Sequence, residues 1–352
     1  MAVNRIVAED VERILQADLS WERFAGATVM VTGAGGFLAR YLVEVLAALN
    51  AVGSGPRILG IVRDLKKARH HFAHLLDRGI LDLIQHDISL PLPAGLPRAD
   101  FVIHAASNAS PKFYGRDPVG TMSANTSGTT YILDYAKKSC AQGVLYFSSG
   151  EVYGIPLDAN LAVTEDAYGY LDPTKVRSCY AESKRCGETM CVSWAHQFQV
   201  PAKIVRPFHT YGPGMALDDG RVFADFVADA VACRDIVLRS DGNAIRPFCY
   251  LADATLGFLH VLLKGECATA YNVANPDAEI AIRDLADLIA GIHPAKGLKV
   301  ARPSTNDVPT SYLKSDLHRA LPSIDRVRSL GWRPTTSILD GFRRTIESYA
   351  GP

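Results

Sequence analysis

The chain has 352 residues, enough to bury a full core in one large or two modest domains. Lys plus Arg and Asp plus Glu balance at 37 each, so charge gives no case for a nucleic-acid or membrane-surface partner. The seven cysteines (Cys140, Cys179, Cys186, Cys191, Cys233, Cys249, Cys267) show no Cys-x-x-Cys pair and no His/Cys ligand spacing. Reduced thiols in a cytoplasmic protein are expected, with no disulfide frame and no metal site.

Met1 to Asp18 is charged with helical apolar spacing (Val7, Val11, Ile14, Leu15), unlike a signal peptide. No apolar run approaches the roughly 18 residues that would span a bilayer. Thr28-Val29-Met30-Val31 reads as a first strand running into the turn Thr32-Gly33-Ala34-Gly35-Gly36-Phe37-Leu38-Ala39, with a helix over Tyr41 to Leu49. Further strands are expected at Arg57 to Val62, Leu81 to Gln85, Phe101 to His104, Val144 to Phe147 and Ala202 to Val205, the last closing with Arg206-Pro207. Helices fall at Met122 to Lys138 and from Tyr180 to about Gln197. Continuous apolar strands alternating with helices predict an α/β fold, a doubly wound, Rossmann-type parallel sheet. Beyond Pro207 loops at Gly212-Pro213-Gly214, Asp218-Asp219-Gly220 and Asp241-Gly242-Asn243 loosen the pattern, with helices at Val222 to Cys233, Ile282 to Ile289 and Ile338 to Tyr349. This is a smaller C-terminal substrate-binding lobe. Residues 1–207 are expected to form the cofactor domain, with strand and helix contributions from about 245–275, and residues 208–352 mainly the lobe.

The glycine turn leaves a strand and opens a helix, the context that lets Gly33 and Gly36 bring backbone close to a pyrophosphate at a helix N-terminus. Ala39 stands at the third glycine position. After the second strand, Arg63 leans mildly toward the phosphate of NADP, whereas Asp64 can reach the ribose of NAD, so either cofactor remains open. Asp87, ending the third strand, suits the adenine amino group. Tyr180 and Lys184 lie four apart on one helix face, so an ammonium near a phenol is expected to lower its pKa and ready it to take a proton from a sugar or alcohol hydroxyl. Ser149 and Glu151 follow the fifth strand, at the carboxyl edge where open parallel sheets bind ligands. Ser148 reads as the turn or capping serine of that pair. Of His209, Arg221 and Arg246 in the loop-rich second part, the arginines suit a nucleotide diphosphate. His104 and the pair His70-His71 read as structural.

These segments resemble the extended short-chain dehydrogenase/reductases, the nucleotide-sugar epimerase/dehydratase group, from about Ala27 to Tyr349. The resemblance rests on Val31-Thr32-Gly33-Ala34-Gly35-Gly36-Phe37, Ile103-His104-Ala105-Ala106-Ser107, Ser148-Ser149-Gly150-Glu151-Val152-Tyr153-Gly154, Tyr180-Ala181-Glu182-Ser183-Lys184, Arg206-Pro207-Phe208-His209-Thr210-Tyr211-Gly212-Pro213 and Tyr271-Asn272-Val273-Ala274-Asn275-Pro276. Within the group the likeness is greatest to UDP-glucuronate decarboxylases, at Ser107-Asn108-Ala109-Ser110-Pro111, Lys184-Arg185, Glu188-Thr189-Met190 and Asp219-Gly220-Arg221-Val222.

The resemblance implies a bound NAD or NADP that is reduced and reoxidised in each cycle. It would lie against Gly33, Gly36, Phe37, Leu38, Arg63, Asp87 and Ile88, then Ala105, Ala106, Ser107, Tyr180, Lys184 and Pro207. A nucleotide-diphosphate sugar would meet Ser110, His209, Arg221 and Arg246, with Ser149, Glu151, Tyr180 and Lys184 as the catalytic set. A homodimer through the helices Met122 to Lys138 and Tyr180 to Gln197 is also implied. Three residues depart from the family pattern: His209 replaces an asparagine, Gly150 stands where 4,6-dehydratases carry an aspartate and decarboxylases often a serine, and Gly214 where decarboxylases commonly have an arginine. The expected reaction passes through a 4-keto sugar and ends in decarboxylation; 4-epimerisation and dehydration are the alternatives. The same fold also serves non-catalytic cofactor sensors, but a sensor has no need of Ser149, Tyr180 and Lys184 together.

Overall fold

A computed structural model describes residues 4–156, 162–302 and 321–349. Seven parallel strands form one sheet: β1 (Thr28–Thr32), β2 (Arg57–Val62), β3 (Leu81–Gln85), β4 (Phe101–His104), β5 (Gly143–Phe147), β6 (Ala202–Pro207) and β7 (Ala270–Val273). Their spatial order is β7-β6-β5-β4-β1-β2-β3. Strand side chains alternate between two apolar layers. Val29, Val31, Ile58, Ile103, Leu145 and Val205 enter one core, while Met30, Leu59, Ile61, Val102, Val144 and Ile204 enter the other. A sheet covered on both faces has no polar side, which is why these strands read as unbroken apolar runs.

β1 pairs with β2 on one side and β4 on the other, so the chain reverses its direction of winding between them. A crevice opens at that point beyond the carboxyl ends of the strands, where ligands bind in such sheets. The fold is the expected doubly wound Rossmann type.

Two elements differ from the sequence reading. The helix expected over Met122 to Lys138 is two helices, Pro118–Asn125 and Ser127–Ser139, broken at Thr126. The first begins earlier because Asp117 caps it through the Gly120 amide (3.0 Å) and Pro118 opens it. The second difference is a helix, Leu251–Lys264, whose residues are nearly all buried and whose bounds were not drawn within the stretch of about 245–275 expected to add strand and helix. Its Phe258 meets Phe147 of β5 edge-on, ring centroids 4.7 Å apart.

The smaller lobe is built from short ribbons, Thr210–Tyr211 with Cys249–Tyr250 and Ile245–Pro247 with Glu279–Ala281, around the Val222–Val231 helix. Buried Asp10 anchors distant segments to each other: its carboxylate accepts from Tyr41 (2.6 Å), Tyr250 (2.6 Å) and Arg344 (2.9 Å). No described helix is long and apolar enough to cross a membrane.

Candidate active site

At the first βα turn the Gly36 amide donates to the Gly33 carbonyl at 2.7 Å, and Gly33 takes a positive φ of 66°. A Cβ on Gly33 would lie 2.8 Å from the Ala106 backbone, so the turn and the end of β4 close on each other only with glycine there. The helix Phe37–Ala48 starts at Gly36 with no side-chain cap, leaving its first amides for an anion.

Two cavities meet over this turn. One, of about 310 Å³, is lined by Gly33, Gly36, Arg63, Asp64, Lys67, Asp87, Ile88, Ala105, Ala106 and Ser107. The other, of about 360 Å³, holds Gly36, Phe37, Leu38, Ala105 and Ser107, with Ser149, Glu151, Tyr180, Lys184, Pro207, His209 and Arg221. Gly36, Ala105 and Ser107 belong to both, so the two form one groove across the sheet edge. The Ser107 hydroxyl is buried at the junction and has no hydrogen-bond partner. An unpaired buried hydroxyl is costly, and a dinucleotide across the groove would satisfy it. The glycine cradle, uncapped helix and orphan hydroxyl fit such a cofactor.

In the first cavity, Asp87 accepts from the Ser89 amide and hydroxyl (2.9 and 2.7 Å) through one oxygen, and these bonds hold its carboxyl below the usual range. Arg63 donates to the Asn108 side chain at 2.8 Å, and Asp64 caps the following helix by accepting from the Lys67 amide (2.8 Å).

At the other end the Ser178–Phe198 helix presents Tyr180 and Lys184 to the cavity, both buried. Lys184 Nζ donates to the Phe147 carbonyl at 2.6 Å, binding the helix to the end of β5. Burial lowers its ammonium to about 7. Burial pushes the Tyr180 phenol up to about 12, while its hydrogen bond with Ser149 acts in the opposite direction. The expected lowering of the phenol pKa by Lys184 is therefore corrected: in the protein alone, desolvation outweighs nearby positive charge. Tyr114 stacks on Tyr180, centroids 4.9 Å and planes 15° apart, and its hydroxyl donates to the Ala109 carbonyl (2.9 Å).

The capping part expected of Ser148 falls to Ser149, which also stands in the cavity wall. Ser149 caps the Gly150–Tyr153 turn, accepting from the Glu151 amide (3.2 Å), and also bonds Tyr180. Ser148 points beneath, donating to Glu188 at 2.5 Å. There Arg206 clasps Glu188 with two bonds (2.8 and 2.6 Å) and donates to Tyr153 (2.7 Å). This buried network fixes the strand end that carries Ser149. A second buried chain runs from Thr32 to His104 (2.8 Å) and on to Thr129 (3.2 Å). It continues through Asn125 to Ser183 (2.9 Å), which donates to the Tyr180 carbonyl (3.0 Å). Burial pushes His104 down to about 3, so it serves as a neutral link.

His209 lines the cavity with its Nδ1 buried and unpartnered. Burial, with Arg246 and Arg221 nearby, pushes it down to about 3, so it offers a hydrogen bond and not a charge. Arg221 also lines the cavity and pairs with Asp219. Two expected ligand contacts are not brought to either cavity lining. Ser110 spends its hydroxyl on the Asp219 carbonyl (2.5 Å), and Arg246, close enough to His209 to act on its charge, donates to the Ile245 carbonyl (2.8 Å). Sequence reasoning missed Tyr114, Lys175 and Arg177, all in the cavity lining. Of these only Arg177 carried a signal, three residues before Tyr180.

The profile of the NAD dependent epimerase/dehydratase family matches residues 29–274. The chain belongs to that family. It is 31% identical over 322 residues to UDP-glucuronic acid decarboxylase 1 of Arabidopsis thaliana, covering 91% of this chain and 69% of the relative. UDP-glucuronic acid decarboxylase 6 of the same plant is 32% identical over 325 residues, covering 91% and 88%. Among solved structures, a UDP-glucuronic acid 4-epimerase from Bacillus cereus superposes with a TM-score of 0.77 at 22% identity, over 92% of this chain and 99% of that one. A dTDP-glucose 4,6-dehydratase from Streptomyces venezuelae gives 0.75 at 23%, over 92% and 97%. At these identities the structures speak for the fold. As a member of the epimerase/dehydratase family, the protein is an enzyme of the NAD-dependent class.

Proposed function

We propose that this enzyme decarboxylates UDP-glucuronate through a 4-keto sugar, with residues 1–207 chiefly holding the cofactor and the remainder chiefly the nucleotide sugar. The observation that carries the reading is that Ser149, Tyr180 and buried Lys184 line one cavity continuous with the dinucleotide groove, with Lys184 tied to the Phe147 carbonyl at 2.6 Å. The identity to UDP-glucuronic acid decarboxylases along most of the chain supports the choice of reaction.

Bound NAD or NADP supplies hydride acceptance and return. Tyr180 takes the proton of the sugar 4-hydroxyl while Ser149 holds that oxygen. Lys184 would hold the cofactor ribose. The aromatic walls of Tyr114 and Phe208 keep water from the reacting carbon. With a ketone beside it, the carbon–carbon bond to the carboxylate breaks and its electron pair moves onto the ketone oxygen. Carbon dioxide leaves and the carbon regains a proton. Glu151, in the cavity wall, handles that proton. His209 and Arg221, both in the cavity wall, hold the diphosphate, His209 as a neutral donor in place of an amide, and Arg246 acts only through His209, which its charge helps to keep neutral. Ser110 acts through the Asp219 loop that it bonds.

Dehydration is disfavoured at Gly150, where a Cβ would approach the Phe208 ring to 2.9 Å. The aspartate that 4,6-dehydratases resemble one another in carrying has no room there. Arg63 and Lys67 in the adenosine cavity, with Asp64 spent on capping, support a mild preference for NADP. A homodimer is supported by exposed Val119, Met122 and Val192 on the Pro118–Asn125 and Ser178–Phe198 helices. Four exposed free cysteines suit a reducing cytoplasm. Mass spectrometry of products from UDP-glucuronate, UDP-glucose and their dTDP, GDP and CDP counterparts tests the reaction. Loss of carbon dioxide from UDP-glucuronate is expected; unchanged mass with inverted C4, or loss of water, contradicts it.

A further inference from the structure

Arg177, Tyr180 and Lys184 stand at i, i+3 and i+7, and Arg177 already has helical dihedrals, so all three share one face of the Ser178–Phe198 helix. All three line the same cavity. The Arg177 guanidinium pairs with Glu151 at 3.2 Å, and the Glu151 amide donates to the Ser149 hydroxyl at 3.2 Å. A cation is thus held two residues' reach from the hydroxyl that bonds the Tyr180 phenol.

The other cations around this cavity are placed differently. Lys184 is buried under the floor on the Phe147 carbonyl. Arg221 is paired with Asp219 of the smaller lobe, at the His209 side. Lys175 is largely exposed and reaches only toward Asp172 at 3.9 Å. Glu151 and Arg177 are both partly exposed, their side chains 42% and 31% accessible. Such a pair is weakly held and a new anion can exchange into it. A guanidinium also matches a carboxylate with two parallel hydrogen bonds.

We infer that Arg177 is the specificity-determining residue that reads a carboxylate on the sugar carbon adjacent to the oxidised one, with Glu151 as its counter-ion when no sugar is bound. The inference rests on the nucleotide-sugar reading above and adds the group that selects an acidic sugar over a neutral one. When the sugar carboxylate takes the guanidinium, Glu151 is released into the cavity beside Ser149.

The test is titration calorimetry of UDP, UDP-glucose and UDP-glucuronate against the full-length wild type, Arg177→Gln and Arg177→Lys. Wild type binds UDP-glucuronate more tightly than UDP-glucose. Arg177→Gln weakens UDP-glucuronate about tenfold or more, as expected on losing a charged partner, and leaves the other two within about twofold. Arg177→Lys recovers part of the loss. In turnover, the glutamine variant raises KM for UDP-glucuronate more than it lowers kcat. Equal weakening of all three ligands, or no change in any, overturns the assignment while leaving the parent reading standing on the wild-type preference. A wild type with no preference for the acidic sugar overturns both.

Discussion

The Lys184 ammonium donates to the Phe147 carbonyl at 2.6 Å, joining the tyrosine helix to the strand that delivers Ser149. That bond lies in an apolar setting which lowers the ammonium to about 7 from an ordinary 10.5. Below the folded value both folded and unfolded chains carry the proton. Between the two values only the unfolded chain does, so this group's contribution to stability improves as pH rises through that window. Lys184→Met removes the titration. The stability of the variant relative to wild type should fall from about pH 6 to about pH 9, measured by urea unfolding of the ligand-free proteins. A constant difference would remove Lys184 from the account.

Arg206 and Glu188 form a nearly buried pair beneath Ser148. Leaving one partner behind costs about 3–5 kcal/mol. Arg206→Met is expected to lose that much stability by denaturant titration, and the double variant with Glu188→Met should lose less than the two single losses added together.

Gly33 has neither room nor backbone freedom for a side chain, given its φ of 66° and the 2.8 Å approach to Ala106. Gly33→Ala is expected to destabilise the protein by about 1–3 kcal/mol and to abolish cofactor retention, read by absorbance of the purified protein.

Arg63→Ala should weaken NADP more than NAD, in binding titrations with each. The guanidinium now held by Asn108 lies in the adenosine cavity, within the part of the groove that would meet a ribose phosphate. Equal loss for both cofactors would place it outside that contact.

Much of this was legible in the chain because a buried parallel sheet writes itself as apolar runs separated by helices. β1 to β6 and the glycine turn follow from that pattern, and Tyr180 with Lys184 follows from helical spacing. The bounds of the helix Leu251–Lys264 were not legible, since burial on nearly every side erases the apolar stripe that marks a surface helix. The capping part was given to Ser148 and belongs to Ser149, because neighbours leaving a strand point to opposite sides and only the network around Glu188 shows that Ser148 points down. The direction of the Tyr180 shift was missed for a related reason. Spacing gives the neighbouring charge, but desolvation depends on Tyr114 and loops far away in sequence.

The central claim is that Tyr180 moves the proton that accompanies sugar oxidation. Rapid-mixing absorbance of the cofactor-loaded enzyme with UDP-glucuronate tests it most directly. Wild type should show transient reduced nicotinamide, and Tyr180→Phe should slow its appearance by about 100-fold or more while still binding the sugar. Reduction at the wild-type rate in Tyr180→Phe would contradict the account.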